Sequence, residues 1–212
     1  MSSTTDDFGP ASEDSSASEK LRASDRILRT ARELFYREGI RAVGVDEIVT
    51  KAGVTKPSLY RSYASKDDLA ASYLRVYEEE FWARFNGAMG EDAPDPKAQL
   101  LDYLEGLAQR AVAADYRGCG LSNAAVEYPE PDHPARRVGE KHKRALRARL
   151  RDMAARMGAR DPALLGDGLM LLLEGTFVSG QMFHGEGPAA SVARVAEMLI
   201  DAATGPGRTR KA

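Results

Sequence analysis

The chain has 212 residues, 43% of them hydrophobic, which is enough to bury a core of its own. No apolar run reaches the roughly 18 residues that span a bilayer, and no basic-then-apolar start marks a secretory leader. A net charge of −2 does not exclude nucleic acid, because it divides into −4 over residues 1–20, +3 over 21–69 and −1 over 70–212, and phosphate attraction is local, acting within a Debye length of roughly 8–10 Å.

Residues 1–20 are rich in Ser, Asp and Glu with almost nothing to bury, and are expected to form a disordered acidic tail. Ser24 is the expected N-cap of a first helix carrying Ile27, Leu28, Ala31, Leu34 and Phe35, which Gly39 stops. A second helix is expected over 45–52, with Val45, Ile48, Val49 and Ala52 on one face. Gly53 breaks it, and a third helix over 55–62 has Thr55 at its N-cap. Ser65-Lys66-Asp67-Asp68 reads as a capping box opening a fourth helix with Leu69, Tyr73, Val76, Tyr77, Phe81 and Phe85.

A turn is expected from Gly90 to Pro96, then helices over 96–115, 121–127, 135–157, 162–184 and 188–203. Residues 205–212 should be a flexible basic tail. No run of period-two alternation appears, so the fold class is all-α. Cys119 is the one cysteine, which excludes an internal disulfide framework and suits a reducing compartment; the cytoplasm is expected.

The segment from Gly39 to Leu69, GIRAVGVDEIVTKAGVTKPSLYRSYASKDDL, carries the most information. Two short helices joined at Gly53 pack steeply when Val45, Ile48 and Val49 meet Val54 and Leu59. Pro57 falls in the first turn of the third helix, where a missing N–H costs nothing. Lys56, Ser58 and Arg61 remain outside, with Tyr60 and Tyr63 nearby. A helix start with free amides, a lysine and hydroxyls suits a phosphate-flanked groove.

The order Phe35…Gly39, Ile48…Ala52-Gly53-Val54, Leu59-Tyr60, Tyr63…Ser65-Lys66…Leu69 resembles the TetR family of helix-turn-helix regulators over about residues 23–73. The resemblance implies a DNA-binding domain over 21–66 and a helical effector-binding and dimerisation domain over 67–204. It implies a regulator, expected to be a repressor, that binds a palindromic double-stranded operator as a homodimer and is released by a small molecule. Thr55, Lys56, Pro57, Ser58 and Tyr60 would lie along the major groove with Arg61 beside them, and Tyr63 and Lys66 would grip phosphates. Three positions depart from the family pattern. Gly44 stands where Thr or Ser usually caps the second helix, Ser62 replaces a usual His or Tyr, and Tyr63 replaces a usual Phe. The phosphate contact at 62 is then missing, and the Tyr63 hydroxyl is the available substitute.

Farther on, 162–184 is apolar nearly all round, which one buried face does not explain. Gly168, Gly175 and Gly180 would permit close helix approach there. With Val192, Val195, Met198, Leu199 and Ala202 of the last helix, it would form the four-helix dimer bundle that the resemblance implies. Candidate linings of an effector site are Tyr77, Phe81, Trp82, Phe85, Tyr103, Leu104, Leu107, Asn123, Phe177 and Met182. Their aromatic character suits a hydrophobic or aromatic ligand.

The stretch RGCGLSNAAVEYPEPDHP resembles one found in part of the family, without pointing to a ligand. Within it, Cys119 between two glycines reads as a small buried hydrophobe beside the cavity; the rival reading is a redox switch, which lacks a resolving cysteine. Eight bases between Arg136 and Arg151 face a single acid, Glu140, and read as a solvated helix face rather than a second nucleic-acid surface. His133, His142 and His184 lack zinc spacing, and no phosphate loop or nucleophile elbow is present, so neither an enzyme nor a cofactor is expected. The alternative of another class is a helical small-molecule-binding or interaction protein without DNA binding.

Overall fold

The computed structural model describes residues 22–88, 95–183, 185 and 187–205. The acidic tail, most of the turn before Pro96 and the basic end beyond Gly205 lie outside them. Helix α1 is Ala23–Glu38, and its N-cap is Arg22 rather than Ser24. The Arg22 carbonyl accepts from the Asp25 and Arg26 amides, whereas the Ser24 hydroxyl, already inside the first turn, donates to Asp25 Oδ1 at 3.1 Å. Helix α2 is Val45–Ala52 and α3 is Lys56–Ser62. Gly53 between them sits in the left-handed region at φ 62°, which a residue with a Cβ occupies only under strain. Helix α4 is Lys66–Ala88. Ser65 Oγ accepts from the Asp68 amide as a capping box requires, but the Asp68 carboxylate reaches back to the Ala64 amide, one residue earlier than expected.

Helix α5 is Pro96–Ala111, started by the Asp95 carboxylate on the Lys97 and Ala98 amides. It stops short of the expected Asp115, and residues 112–115 that follow it are exposed, so nothing packs on them to extend the helix. Helices α6, Gly120–Glu127, and α7, Pro134–Arg156, follow, the second capped by His133 Nδ1. Helix α8 is Pro162–Phe183. The last expected helix divides into a 3₁₀ turn, Pro188–Ser191, and α9, Val192–Thr204. No strand occurs among the described residues.

Helices α1 to α3 form a small head on Ile27, Leu34, Phe35, Ile48 and Leu59, all buried. Helix α4 runs from this head into the body, burying Tyr73, Leu74, Phe81 and Phe85, so that head and body share one continuous core. Helices α7 and α8 pack closely, held outside by Asp167 of α8, which accepts paired hydrogen bonds from both Arg147 and Arg151. These two guanidiniums hold the Asp167 carboxyl well below the usual carboxylate range. Other α7 bases also pair: Arg136 and Arg144 with Glu140, Lys143 with Glu174, Arg137 with Asp132 and Arg149 with Asp152.

Two expectations need correction. Helix α8 is, by length and mean hydropathy alone, apolar enough to cross a membrane, although Asp167 and Glu174 break it into shorter apolar runs. In the fold, however, Leu165, Leu169, Leu173 and Phe177 are buried in the protein's own core. The glycines that permit close approach also differ. A Cβ on Gly180 would strike Tyr116 and Ala111, as expected, but one on Gly168 meets only the end of Leu199, and one on Gly175 meets nothing. The tightest backbone crossing is at Gly166.

His142 of α7 is fully buried, edge-on to Phe81 at 4.5 Å, and neither ring nitrogen has a hydrogen-bond partner. Burial first and the Lys143 charge second push its pKa down to about 3, outweighing the Glu78 carboxylate 3.5 Å from Nδ1. The unfolded chain takes up this proton near pH 6.5 while the folded one does not. Stability is therefore unaffected by this group above pH 6.5 and falls as the pH drops below it, by up to about 1.4 kcal/mol per unit. Urea denaturation between pH 7.5 and 5 should show that slope. His142→Leu should remove it; a slope unchanged in the variant would assign it elsewhere.

Candidate nucleic-acid interface

Helix α3 is anchored by one side chain. Leu59 is fully buried against α1 and α2, while Thr55, Lys56, Pro57, Tyr60 and Arg61 are exposed and Ser58 is half-buried. Thr55 is the N-cap by backbone, its carbonyl accepting from the Ser58 and Leu59 amides. Its hydroxyl is not spent on that cap and lies 3.1 Å from Ser58 Oγ, which also accepts from Arg61 Nη2 at 3.3 Å. The result is an outward row of hydroxyls, a guanidinium, an ammonium and a phenol, with Tyr60 52% exposed. Lys56 Nζ sits 2.7 Å from Asp46 Oδ1, a pair open to solvent that raises the lysine's pKa. Such exposed pairs are screened by solvent and hold weakly, so Lys56 is readily released to a stronger anion.

Tyr63 and Lys66 are placed differently from the outward row. Tyr63 is half-buried, its hydroxyl donating to the Ser24 carbonyl at 3.4 Å, and burial raises its pKa. Lys66 is half-buried with Nζ on the Arg41 carbonyl at 3.3 Å, and desolvation lowers its pKa. Both brace the head internally. The N-cap role of Gly44 is taken by backbone alone, with its carbonyl accepting from the Ile48 amide.

The head is tied to the body at residues that spacing gave no means of finding. Glu127, the last residue of α6, accepts from the Arg41 amide at 2.8 Å, and its carbonyl accepts from Arg41 Nη1 at 3.1 Å. Its carboxylate lies against Gly39, whose φ of 93° lets the turn close there. Arg136 Nη1 donates to the Ala125 and Tyr128 carbonyls, fixing the end of α6. Before α6, the Gly118 carbonyl accepts from the hydroxyls of Tyr36 in the head and Tyr77 in the body.

A cavity of about 690 Å³ lies between α1 and the body, reaching Gly118. Of the ten expected lining residues, Tyr77, Phe81, Tyr103, Leu107 and Phe177 meet at it. The other five lie elsewhere. Phe85 and Leu104 are fully enclosed core, and Trp82 lines a separate groove between α4 and α7. Asn123 donates to the Arg117 carbonyl at 2.7 Å, and Met182 is exposed on α8. Tyr36, Tyr73 and Tyr116 complete the aromatic wall, together with several arginines of α1, α4 and α5. Sequence periodicity does not find them, because it places Tyr36 and the α1 arginines in a head separate from the body. Cys119 is buried behind this wall, with Lys143 Nζ 3.4 Å from its sulfur.

Residues 27–73 match the family model described as bacterial regulatory proteins, tetR family. In its backbone the chain is similar to SCO4454, a TetR-family transcriptional regulator from Streptomyces coelicolor, at a TM-score of 0.78 and 30% identity over 86% of this chain and 96% of that one. It is 20% identical to the HTH-type transcriptional regulator YjdC of Escherichia coli K12 over 82% of this chain and 91% of that one. It is also 33% identical to the HTH-type transcriptional repressor KstR2 of Mycobacterium tuberculosis, over 38% of each chain.

Proposed function

The chain belongs to the TetR family of bacterial regulatory proteins, a transcriptional regulator and not an enzyme, and we propose that it is a cytoplasmic repressor that binds a palindromic operator as a homodimer and releases it on binding a small organic effector. Residues 21–66 act as the DNA-binding head and 67–204 as the effector-binding and dimerisation body. One observation carries this reading: α3 spends a single side chain, Leu59, on its own core and holds Thr55, Lys56, Pro57, Tyr60 and Arg61 outward. A helix that is otherwise unpartnered, basic and hydroxyl-rich fits a major groove bordered by phosphates. Tyr63 donates to phosphate only by leaving its internal acceptor, whereas Lys66 has further N–H donors free while it holds the Arg41 carbonyl; the part of both is secondary to that of α3.

Release follows from the position of the cavity. Its wall includes Tyr36 of α1, and the segment from Gly118 to Glu127 touches the cavity at one end and the Gly39–Arg41 turn of the head at the other. A ligand that displaces Tyr36 or Gly118 therefore alters how the two heads of a dimer are held, and a symmetric pair of heads reads only half-sites at fixed spacing.

Duplexes selected from a random pool supply the operator, and fluorescence anisotropy across salt concentrations tests the interface. Lys56→Ala should weaken binding and reduce the salt slope by about one unit, the signature of one phosphate fewer neutralised in the complex. Asp46→Asn, which frees Lys56, should strengthen binding severalfold. Lys66→Ala should weaken binding with a smaller change in slope. If Lys56→Ala binds like the wild type at every salt concentration, α3 is not the reading helix. A chain that selects no duplex at all leaves only the small-molecule-binding alternative.

A further inference from the structure

The cavity wall has a charge pattern that a site for a neutral hydrophobic molecule does not need. Five arginines, Arg29, Arg32, Arg37, Arg84 and Arg110, line it against three acids, Glu33, Glu80 and Asp115. Arg32 is neutralised by Glu80 at 2.5 Å, whereas no acid lies within 4 Å of the other four among the described residues. Of these, Arg84 and Arg110 lie at the corner of the cavity next to Tyr103. The Arg110 guanidinium stands 5.9 Å above the Tyr103 ring, and both charges act on the Tyr103 phenol.

At that corner the Tyr116 hydroxyl is buried without a hydrogen-bond partner, although buried hydroxyls are almost always paired. Burial raises the Tyr103 and Tyr116 pKa values, so both phenols remain donors at neutral pH. Deeper in, the wall is aromatic: Tyr36 and Tyr77 stack at 6.2 Å, their hydroxyls already committed to Gly118, with Phe81 and Phe177 closing the space.

We infer that the effector is an aromatic organic anion, its acidic group held by Arg84 and Arg110 and its flat body against the Tyr36–Tyr77 stack. The inference rests on the cavity being the effector site. Guanidiniums supply charge-assisted hydrogen bonds that a carboxylate or sulfonate accepts and a neutral ring does not.

Two fluorescent probes with the same aromatic body separate the possibilities: 8-anilinonaphthalene-1-sulfonate, an anion, and its neutral counterpart N-phenyl-1-naphthylamine. The full-length wild type should bind the anion about tenfold or more tighter than the neutral probe. Arg84→Ala with Arg110→Ala should close most of that gap. Both arginines are exposed on helix surfaces, so the double variant should fold, as circular dichroism verifies. Leu107→Trp, which fills the cavity, should abolish binding of both probes; if that variant fails to fold, Tyr116→Trp takes its place. Equal affinities for the two probes, both lost on filling the cavity, would overturn the anion inference and leave the effector site standing. Binding unaffected by filling the cavity, or no binding of either probe, would overturn both.

Discussion

A glutamate at Leu171 together with one at Met198 is expected to turn the protein into a folded monomer whose operator affinity is at least a hundredfold lower. Leu171 is 73% exposed and Met198 66% exposed, so neither supports the fold of its own chain. Around them Leu164, Val178, Met182 and Val195 are also exposed on α8 and α9, beside an apolar groove of about 490 Å³ containing Gly168, Gly175 and Leu199. These exposed apolar side chains on two adjacent helices are the face on which the proposed homodimer would form. Burying two uncompensated carboxylates in each copy of a two-fold interface costs several kcal/mol. Once monomeric, each head binds its half-site alone and loses the effective concentration that linkage supplies, a factor of about 10²–10⁴. Sedimentation equilibrium, circular dichroism and anisotropy check the three parts. A wild type that is monomeric at micromolar concentration, or a double variant that still dimerises, would refute the assignment.

The second large effect is on stability. Gly166→Ala should lower the melting temperature by about 4–8 °C, although alanine is the better helix former by about 1 kcal/mol. A Cβ at 166 would lie 2.6 Å from Arg151 Cγ and 2.7–2.8 Å from the Arg151 backbone. A flexible side chain can move aside, but the backbone of α7 cannot without opening the α7–α8 contact and the Asp167 clamp beside it. Overpacking of this kind costs about 3 kcal/mol, and for a chain of this length each kcal/mol moves the midpoint by about 2–4 °C. Gly87→Ala is the control: nothing lies within 4 Å of its Cβ, so the midpoint should hold or rise slightly. A midpoint unchanged in Gly166→Ala would mean that the two helices cross less closely than these distances require.

The helix-turn-helix was legible in residue order alone. Gly39 and Gly53 mark backbone that demands positive φ, and Ile48, Val49 and Leu59 recur at the spacing that faces two short helices together. These signals are local: each depends on residues within one or two turns, so the sequence by itself determined the elements from α1 to α4, the all-α class and the outward set on α3. What lay between distant segments was decided only by tertiary structure. The close crossing at Gly166, the strut from Glu127 to Arg41 and the joining of Tyr36 to Tyr77 and Tyr116 around one cavity link residues from 15 to 86 positions apart. Tyr63 and Lys66 show the same division: the family resemblance implied phosphate contacts for them, and only the fold shows the carbonyls of Ser24 and Arg41 that they also hold. Periodicity states which face of a helix is apolar, but the partner of that face depends on packing, and packing is a property of the whole chain.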